Sequence, residues 1–382
     1  MNKIPLAIPH MSGHEMSYIQ QAFDTNWIAP VGPNINLFEE KVRDYTGASY
    51  SVATSSGTAA LHLALDLIGV EKEDTVFCST FTFIASANPI IYQSATPIFI
   101  DSELETWNMS PIALEKALLQ AKQQHQLPKA IIVVHIYGQP AKMNEILALA
   151  QSYGIPVIED AAESLGSKYY GKDTGTLGEL GIYSFNGNKI ITTSGGGMLV
   201  SRTETTISSA KFLAEQAKEQ APYYQHEKTG YNYRLSNISA GIGCGQMAVL
   251  DKRVAQKRDI YVRYYEAFFN KLPVTFQTEI EETFSNRWLT ALQFKGITPL
   301  VLKNELDKYG IEARLLWKPL HMQPVFKDAV FISENNDDQM SNAEYLFSTG
   351  LCLPSATQMT EAEQNYVIEI CMMLFKQLTD NK

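Results

Sequence analysis

The residues of this chain that could do chemistry together lie between 157 and 201, where three short apolar runs end near polar groups. Asp160 follows the first run, Ser184 lies in the second, and Lys189 follows it in the segment YSFNGNK. A lysine amine can form a Schiff base with an aldehyde, and a carboxylate can pair with a pyridinium nitrogen and make the ring an electron sink. This set therefore indicates chemistry of the pyridoxal phosphate (PLP) kind.

The surroundings of Asp160 and Lys189 favour a binding site over two solvated surface charges. An isolated aspartate or lysine is usually exposed and carries no function. Here, each follows a short apolar run that predicts a buried strand. Ligands of open α/β sheets bind at the ends of such strands, so we expect both side chains to line one crevice.

Three motifs of this segment, EDAAESLG, YSFNGNK and TTSGGGM, and a later one, GYNYRLS, resemble those of the DegT/DnrJ/EryC1/StrS family of sugar-nucleotide aminotransferases. The resemblance extends over nearly the whole chain. It implies an α/β protein of the fold-type I PLP-dependent transferases (aspartate aminotransferase type), with a mainly parallel seven-stranded sheet in a large domain and a small C-terminal α/β domain. We expect a PLP-binding domain with an N-terminal arm at 1–240, and a long linking helix with the small domain at 241–382.

The resemblance also implies roles for individual residues. Lys189 would carry PLP and shuttle a proton once released, and Asp160 would keep the pyridine nitrogen protonated. Many family members have Gln or His where this chain has Glu163, which would lie near the ring hydroxyl. The other implied cofactor contacts are Gly57, Thr58, Phe83, Ser184 and, from a second subunit, Asn232. The implied substrate contacts are Trp27, Ile28, Trp317 and His321, with Arg314 nearby in the sequence.

Several of these positions have a purely structural alternative. Gly57 and Thr58 open a predicted helix, Ala59 to Ile68, where backbone N–H groups could hold a phosphate or the hydroxyls could simply cap the helix. Asn232 could be a turn residue with a local hydrogen bond. We expect Asn237 to cap a single long helix from Ser239 to Leu272, which would span roughly 50 Å.

Composition excludes several classes of function. The chain has 382 residues and a net charge of −10, which argues against a nucleic-acid-binding surface. Its four cysteines have no metal-ligand spacing, so we expect buried free thiols and no metal. Without a signal peptide or an 18-residue apolar run, the protein is expected to be cytoplasmic and to have no contact with membranes.

The expected reaction moves an amino group from L-glutamate to C4 of a nucleotide-linked 4-keto-6-deoxy sugar in a homodimer with shared active sites. The motif details resemble the branch that acts on UDP-4-keto-6-deoxy-GlcNAc, in bacillosamine-type glycan synthesis. A dTDP-linked 3- or 4-keto sugar and a non-catalytic PLP-fold sensor are the alternatives. Lys189 argues against the related dehydratases, which have histidine there, and the chain has no GxGxxG segment for a nicotinamide cofactor.

Overall fold

The structure of the chain is a computed structural model that describes residues 3–336 and 338–380. Its helices are Glu15–Asp24 (α1), Pro33–Thr46 (α2), Gly57–Ile68 (α3), Asn88–Tyr92 (α4), Pro111–Gln123 (α5), Met143–Tyr153 (α6), Glu204–Ala214 (α7), Asn237–Met247 (α8), Leu250–Phe268 (α9), Pro299–Lys308 (α10), Asn342–Thr349 (α11) and Glu361–Asp380 (α12). Its strands are Tyr50–Thr54 (β1), Thr75–Ser79 (β2), Thr96–Ile100 (β3), Ala130–Val134 (β4), Val157–Asp160 (β5), Lys168–Tyr169 (β6), Lys172–Asp173 (β7), Leu180–Ser184 (β8), Gly197–Ser201 (β9), Val274–Phe276 (β10), Thr283–Phe284 (β11), Thr290–Phe294 (β12), Arg314–Leu315 (β13), Val330–Ile332 (β14) and Gly350–Leu353 (β15).

The central sheet of the described residues has eight strands in the order β1-β9-β8-β5-β4-β2-β3-β14. The strands from β8 to β14 run parallel, whereas β9 is antiparallel to β8 and β1 is antiparallel to β9. The prediction of a mainly parallel sheet is confirmed. The expected number of seven strands is too low, because β14 returns from the C-terminal part of the chain and pairs in parallel with β3.

Helix α3 shows how local sequence builds the edge of the site. The Ser56 side chain accepts a hydrogen bond from the Ala59 N–H, and Gly69 ends the helix with a left-handed φ of 77°. Such a serine N-cap and glycine C-cap satisfy backbone groups that the helix leaves without partners. Leu61 and Leu65 are buried in the core beneath the sheet. The helix is therefore fixed at both ends, with its N-terminus close to β9.

The C-terminal part of the chain forms a second sheet, in the order β10-β12-β15-β13, with every pairing antiparallel. Helices α9, α10 and α12 supply the apolar side chains that pack with it. The division at 240 remains a prediction. Strand β14, beyond that position, joins the large sheet, and α8, which extends across it, packs against α1 and α2.

The expected single helix from Ser239 to Leu272 is wrong, because the chain bends at Ala248 and Val249, between α8 and α9. Helix α8 packs so tightly on α2 that a Cβ at Gly243 would lie 2.6 Å from the Phe38 ring. From Ile260 onward, helix α9 packs instead against the core of the C-terminal sheet. Two different packing partners require two helix directions, although the apolar pattern continues through the bend.

The cap of α8 also differs from the expectation. Ser236 is the N-cap and accepts a hydrogen bond from the Ser239 N–H. Asn237 is fully buried inside the first turn, where its Oδ1 accepts from the Asn34 N–H at 2.9 Å and its Nδ2 donates to the Trp27 carbonyl at 3.0 Å. Asn237 thus fixes the segment between α1 and α2, and serine takes the capping role.

The four cysteines are buried and free, as expected. Phe81 is buried in the core. Among residues 3–336 and 338–380, no helix is both long and apolar enough to cross a bilayer. The same residues contain no cluster of three or more His, Cys, Asp or Glu side chains with the geometry of a metal site.

Candidate active site

A cavity of 210 Å³ lies at the edge of the central sheet where β5 and β8 end. Parallel strands present their carboxyl ends on one side of a sheet, and ligands of open α/β sheets bind there. Seven of the residues expected to contact the cofactor line this cavity: Gly57, Thr58, Phe83, Asp160, Glu163, Ser184 and Lys189. A larger cleft of 510 Å³ lies elsewhere, near Tyr45 and Arg202, and includes none of these residues. We assign the site by its chemistry and therefore to the smaller cavity.

Asp160 is held as a fixed acceptor at the end of β5. Its side chain is buried, with Oδ2 accepting from the Ser86 hydroxyl at 2.7 Å and Oδ1 accepting from the Ala162 N–H at 3.2 Å. The Ser86 hydroxyl also lies 3.0 Å from the Thr82 hydroxyl. Two donors fix the carboxylate direction and leave lone pairs for a protonated ring nitrogen, because each carboxylate oxygen can accept more than one hydrogen bond.

Lys189 reaches the cavity from the turn that follows β8. The turn is closed by the Lys189 N–H, which donates to the Asn186 carbonyl at 3.0 Å. The side chain is 14% exposed, and its Nζ lies 3.7 Å from Oε1 of Glu163. On another side, Nζ lies 4.3 Å from the ring centroid of Trp288. A carboxylate and an aromatic ring therefore both lie within reach of this amine.

Glu163 is buried and held by the backbone of an unusual residue. Its Oε2 accepts from the Tyr137 N–H at 2.8 Å, and Tyr137 has a φ of 54°, which is uncommon for a bulky side chain. Burial raises the pKa of the Glu163 carboxyl, while Lys189 and the Tyr137 N–H oppose that rise. The Tyr137 hydroxyl in turn accepts from the Trp317 N–H at 2.9 Å. Tyr137 therefore links Glu163 to the loop that carries Trp317.

The N-terminus of α3 lies close to the end of β8, and glycines stand at the points of closest approach. A Cβ at Gly57 would lie 3.1 Å from Cβ of Ser184, and a Cβ at Gly197 would lie 2.4 Å from the Ser56 backbone. Glycine at both positions therefore allows the helix end to approach the two strands closely. Backbone N–H groups in the first turn have no intrahelical partner, and a helix N-terminus with a nearby hydroxyl suits a phosphate.

This set of donors fits PLP. The α3 N-terminus and Ser184 offer N–H and O–H donors for an anion, Asp160 offers a fixed carboxylate for a protonated ring nitrogen, and Lys189 offers the amine. All of these groups line one cavity, and the glycines leave space where a side chain would stand. Phe83 lies at the rim with half of its surface exposed, so an aromatic face is available to a flat ring.

The four expected substrate residues do not line the cavity itself. Trp27 and Ile28 lie in the exposed loop after α1, with exposed fractions of 43% and 51%. The Trp317 ring lies 5.3 Å from the Phe83 ring and so adjoins the rim of the cavity. The imidazole of His321 stacks on Phe331 at 3.7 Å.

His321 is held in place by contacts with neighbouring residues. Its Nδ1 lies 2.7 Å from the Thr80 hydroxyl, and its Nε2 lies 3.8 Å from Oε1 of Glu344. Burial lowers the pKa of His321, and the nearby Glu344 carboxylate opposes this shift. Arg314 is exposed and pairs with Glu312.

Asn232 lies on the surface of the chain and does not line the cavity. Its Oδ1 accepts from Nε2 of Gln216 at 3.1 Å. The flanking Tyr231 and Tyr233 stack on each other at 4.9 Å, and Tyr231 donates from its hydroxyl to Asp66 at 3.0 Å. The GYNYRLS segment is therefore a fixed part of the surface with Asn232 at an exposed position.

Three residues of the site were not identified from the sequence. Ser86 follows the Phe83 segment closely, so a search for hydroxyl partners of Asp160 could have found it. Tyr137 contacts Glu163 through its backbone N–H, and a pattern of side-chain types in the sequence cannot predict such a contact. Trp288 comes from the C-terminal part of the chain, and only the tertiary structure brings it next to Lys189.

Comparison with known proteins agrees with this geometry. Residues 9–372 match the DegT/DnrJ/EryC1/StrS aminotransferase family. The chain is 56% identical to EpsN of Bacillus subtilis (strain 168), named as a candidate pyridoxal phosphate-dependent aminotransferase, over 98% of this chain and 96% of that protein. It is 36% identical to the GDP-perosamine synthase of Escherichia coli O157:H7, over 97% of this chain and 98% of that one.

Among solved structures, a DegT DnrJ EryC1 StrS aminotransferase from Brucella abortus superposes with a TM-score of 0.88 at 27% identity, covering 95% of each chain. The family match spans nearly the whole chain, and the cavity holds the lysine, the carboxylate and the helix N-terminus that PLP requires. The chain therefore belongs to the DegT/DnrJ/EryC1/StrS aminotransferase family and is a PLP-dependent sugar aminotransferase with the fold-type I architecture.

Proposed function

We propose that the protein transfers an amino group from L-glutamate to C4 of a nucleotide-linked 4-keto-6-deoxy sugar that is used to build a surface or protein-linked glycan. The observation that carries this proposal is the meeting of Lys189, Asp160 and the α3 N-terminus in one cavity. The family to which the chain belongs supports it, because it is an aminotransferase family and the relatives of the chain include GDP-perosamine synthases.

The residues around the cavity have distinct tasks in binding the cofactor. The N–H groups of Gly57 and Thr58 and the hydroxyl of Ser184 hold the phosphate. Asp160, fixed by Ser86, keeps a proton on the ring nitrogen. When bound, PLP supplies an electron sink that stabilises negative charge developing at the reacting carbon of the substrate. Glu163 lies where it can contact the ring hydroxyl.

Lys189 moves the proton on which amino transfer depends. Its Nζ takes the proton from the α-carbon of glutamate, which makes this amine the general base of the first half-reaction. Glu163 lies 3.7 Å from Nζ and balances the positive charge that the amine gains. The burial of both side chains excludes bulk water, which strengthens this interaction. The proton would be passed to the cofactor at the end of the first half-reaction, and in the second the same amine would carry it from there to the sugar carbon that receives the amino group.

The finer assignment is UDP-4-keto-6-deoxy-GlcNAc as the acceptor, in a pathway of the bacillosamine type. Its support is the resemblance of the FNGNK and WIAPxGP segments to that branch. The loop with Trp27 and Ile28 and the Phe83–Trp317 ring pair offer exposed apolar surface for a sugar nucleotide. The 36% identical relative makes a GDP-linked product, so a GDP-linked sugar competes with UDP- and dTDP-linked ones.

A shared active site between two subunits is part of the proposal. Asn232 is exposed on a rigid segment and away from its own cavity, so a second subunit can receive its side chain at the phosphate. A buried phosphate dianion needs several donors, and one from the partner would make cofactor binding depend on assembly. The exposed apolar side chains on and after α1, including Phe23 and Trp27, suit such an interface.

A panel of UDP-, GDP- and dTDP-linked 4-keto-6-deoxy sugars, each incubated with L-glutamate and the PLP-loaded protein, tests the proposal. Mass spectrometry of the sugar product and an assay for 2-oxoglutarate measure the two halves of the reaction. We expect a 4-amino product with the UDP-GlcNAc derivative at the highest kcat/KM. A higher value with a GDP- or dTDP-linked sugar refutes the acceptor assignment. No change in the PLP absorbance on addition of glutamate refutes amino transfer itself and favours a sensor.

A further inference from the structure

Lys189 is contacted by a tryptophan from the C-terminal part of the chain. The Trp288 indole is 1% exposed, its ring centroid lies 4.3 Å from Nζ of Lys189, and its Nε1 donates to the Asn188 carbonyl at 2.8 Å. One side chain thus contacts both the reactive amine and the peptide unit that precedes it. We propose that Trp288 is a positioning residue that holds the free ε-ammonium of Lys189 in place for proton transfer.

The backbone around Trp288 is built to hold the indole there. Arg287 has a φ of 50°, a left-handed conformation that is unfavourable for a bulky residue. Three contacts hold it: its guanidinium lies 3.9 Å from the Tyr261 ring centroid, donates to the Gln277 carbonyl at 3.0 Å and pairs with Glu279 at 3.0 Å. Strain of this kind persists only where the surrounding structure enforces it, and it is concentrated at functional sites.

Asn286 joins the same turn to the segment that carries Glu163. Its Nδ2 donates to the carbonyls of Glu163 at 3.0 Å and Leu165 at 2.9 Å, and its Oδ1 accepts from the Trp288 N–H at 2.9 Å. Gly138 leaves space for it, since a Cβ there would lie 1.9 Å from the Asn286 Oδ1. The side chain of Asn286 therefore ties the backbone that carries Glu163 to the backbone that carries Trp288, the two residues whose side chains lie near Nζ.

The consequence is specific to the part of the cycle in which Lys189 is free. A lysine side chain has four rotatable bonds and loses about 2 kcal/mol of rotamer entropy when it is fixed. The indole face attracts the positive charge that the amine gains on taking the α-proton of glutamate, and it limits this motion, so that Nζ remains near the carbon whose proton it moves. Without the ring, the amine samples other rotamers and proton transfer slows, while the binding of glutamate is unchanged.

Three variants separate this role from core packing. Trp288→Leu removes the aromatic ring, and Trp288→Phe keeps a ring but loses the indole N–H. If Trp288→Leu does not fold, Trp288→Met replaces it, because methionine also lacks a ring and has an unbranched side chain. Trp107→Leu is the matched control, because Trp107 is also fully buried in the same core. Circular dichroism and thermal unfolding verify that each variant is folded.

The first measurement uses the cofactor-free protein labelled with ε-¹³C-lysine. An aromatic ring shields protons above its face, so the Lys189 ε-CH₂ signal should be shifted upfield, and its absence from Lys189→Ala assigns it. We expect the signal to lose this shift in Trp288→Leu, to keep part of it in Trp288→Phe and to keep all of it in Trp107→Leu. An unshifted signal in the wild-type protein overturns the proposal.

The second measurement is the single-turnover reaction of the PLP-loaded protein with L-glutamate. We expect the limiting rate constant of Trp288→Leu to fall about tenfold, that of Trp288→Phe about threefold or less, and half-saturation by glutamate to stay within about twofold. The kinetic isotope effect, which is the ratio of the rates with glutamate and with α-deuterated glutamate, should increase in Trp288→Leu. The reason is that proton transfer then limits the overall rate to a greater extent. An equal rate loss in Trp107→Leu, or an unchanged isotope effect, overturns the positioning role.

The inference rests on the proposed role of Lys189. Different experimental results would refute the inference and the proposed function. If peptide mapping places PLP on another lysine, the proposed function is wrong, while the NMR result still reports on the Lys189–Trp288 contact. If PLP is on Lys189 and the Trp288 variants react like the wild type, only the inference is wrong. Neither measurement uses a nucleotide sugar, so an error in the acceptor assignment affects neither.

Discussion

Replacing Asp160 with asparagine removes one charge from the site while changing almost no volume. The carboxylate accepts from the Ser86 hydroxyl at 2.7 Å and from the Ala162 N–H at 3.2 Å. An asparagine amide can keep both contacts, with its oxygen accepting from Ala162 and its NH₂ donating to Ser86. The Ser86 proton can then turn to the Thr82 hydroxyl, 3.0 Å away. We therefore expect Asp160→Asn to fold and to unfold within a few degrees of the wild-type protein.

The loss in catalysis should be much larger than the loss in stability. A hydrogen bond to a charged group contributes about 1.5–3 kcal/mol, and a neutral amide cannot keep the ring nitrogen protonated. A loss of about 3 kcal/mol in the transition state lowers the rate by roughly 150-fold. The single-turnover rate with L-glutamate, followed by the absorbance of the cofactor, measures this effect without any assumption about the sugar.

Ser86→Ala is the matched control for this prediction. It removes the hydroxyl donor and leaves the charge of Asp160, so we expect a rate loss of about fivefold, corresponding to a net hydrogen bond of about 1 kcal/mol. The reasoning is refuted if Asp160→Asn retains a rate within about tenfold of the wild type, or if Ser86→Ala is as slow as Asp160→Asn. The second result would mean that orientation, rather than charge, is the contribution of this aspartate.

Three further predictions address other parts of the molecule. Borohydride reduction followed by peptide mapping should place the pyridoxyl group on Lys189, and Lys189→Ala should show no turnover; a label on any other lysine contradicts the assignment. Mixing Lys189→Ala subunits with strongly impaired Asn232→Ala subunits should restore activity, because one site of each heterodimer then carries neither change; heterodimers without activity would place Asn232 in its own subunit. Burial lowers the pKa of Lys257 to about 7. Between about pH 7 and 10 the unfolded state therefore binds more protons than the folded state, and the free energy of unfolding rises with pH over this range. Chemical denaturation at about pH 7.5 and 9.0 should show that the wild type gains about 2 kcal/mol relative to Lys257→Met over this interval, and a constant difference would refute the shift.

The amino-acid sequence determined the parts of the site that are local in the chain. Asp160 and Ser184 lie at the ends of their strands because short apolar runs between polar segments form buried strands of a parallel sheet. Gly57 and Thr58 begin a helix because Ser56 caps it, which was readable from the serine and the apolar spacing that follows. Such features depend on neighbouring residues, so a linear pattern records them.

Tertiary packing alone decided the features that depend on distant partners. The apolar pattern from Ser239 to Leu272 is continuous, but α8 packs on α2 while α9 packs on the C-terminal core, and the helix breaks between them. His321 stays a predicted substrate residue, but its contacts with Thr80 and Phe331 come from segments far away in the chain. An amphipathic pattern predicts that a face is buried without naming the surface that covers it.

The contacts of Lys189, at the centre of the site, also could not be predicted from the sequence. The motif YSFNGNK identified the amine, but Trp288, which lies 4.3 Å from it, is about a hundred residues away in the chain. Tyr137 reaches Glu163 through a backbone N–H, so its side-chain type carries no signal of the contact. The sequence therefore indicated which groups we expect to react, because reactivity belongs to residue types in local motifs. The tertiary structure decided what holds those groups in place, because that depends on contacts between segments far apart in the chain.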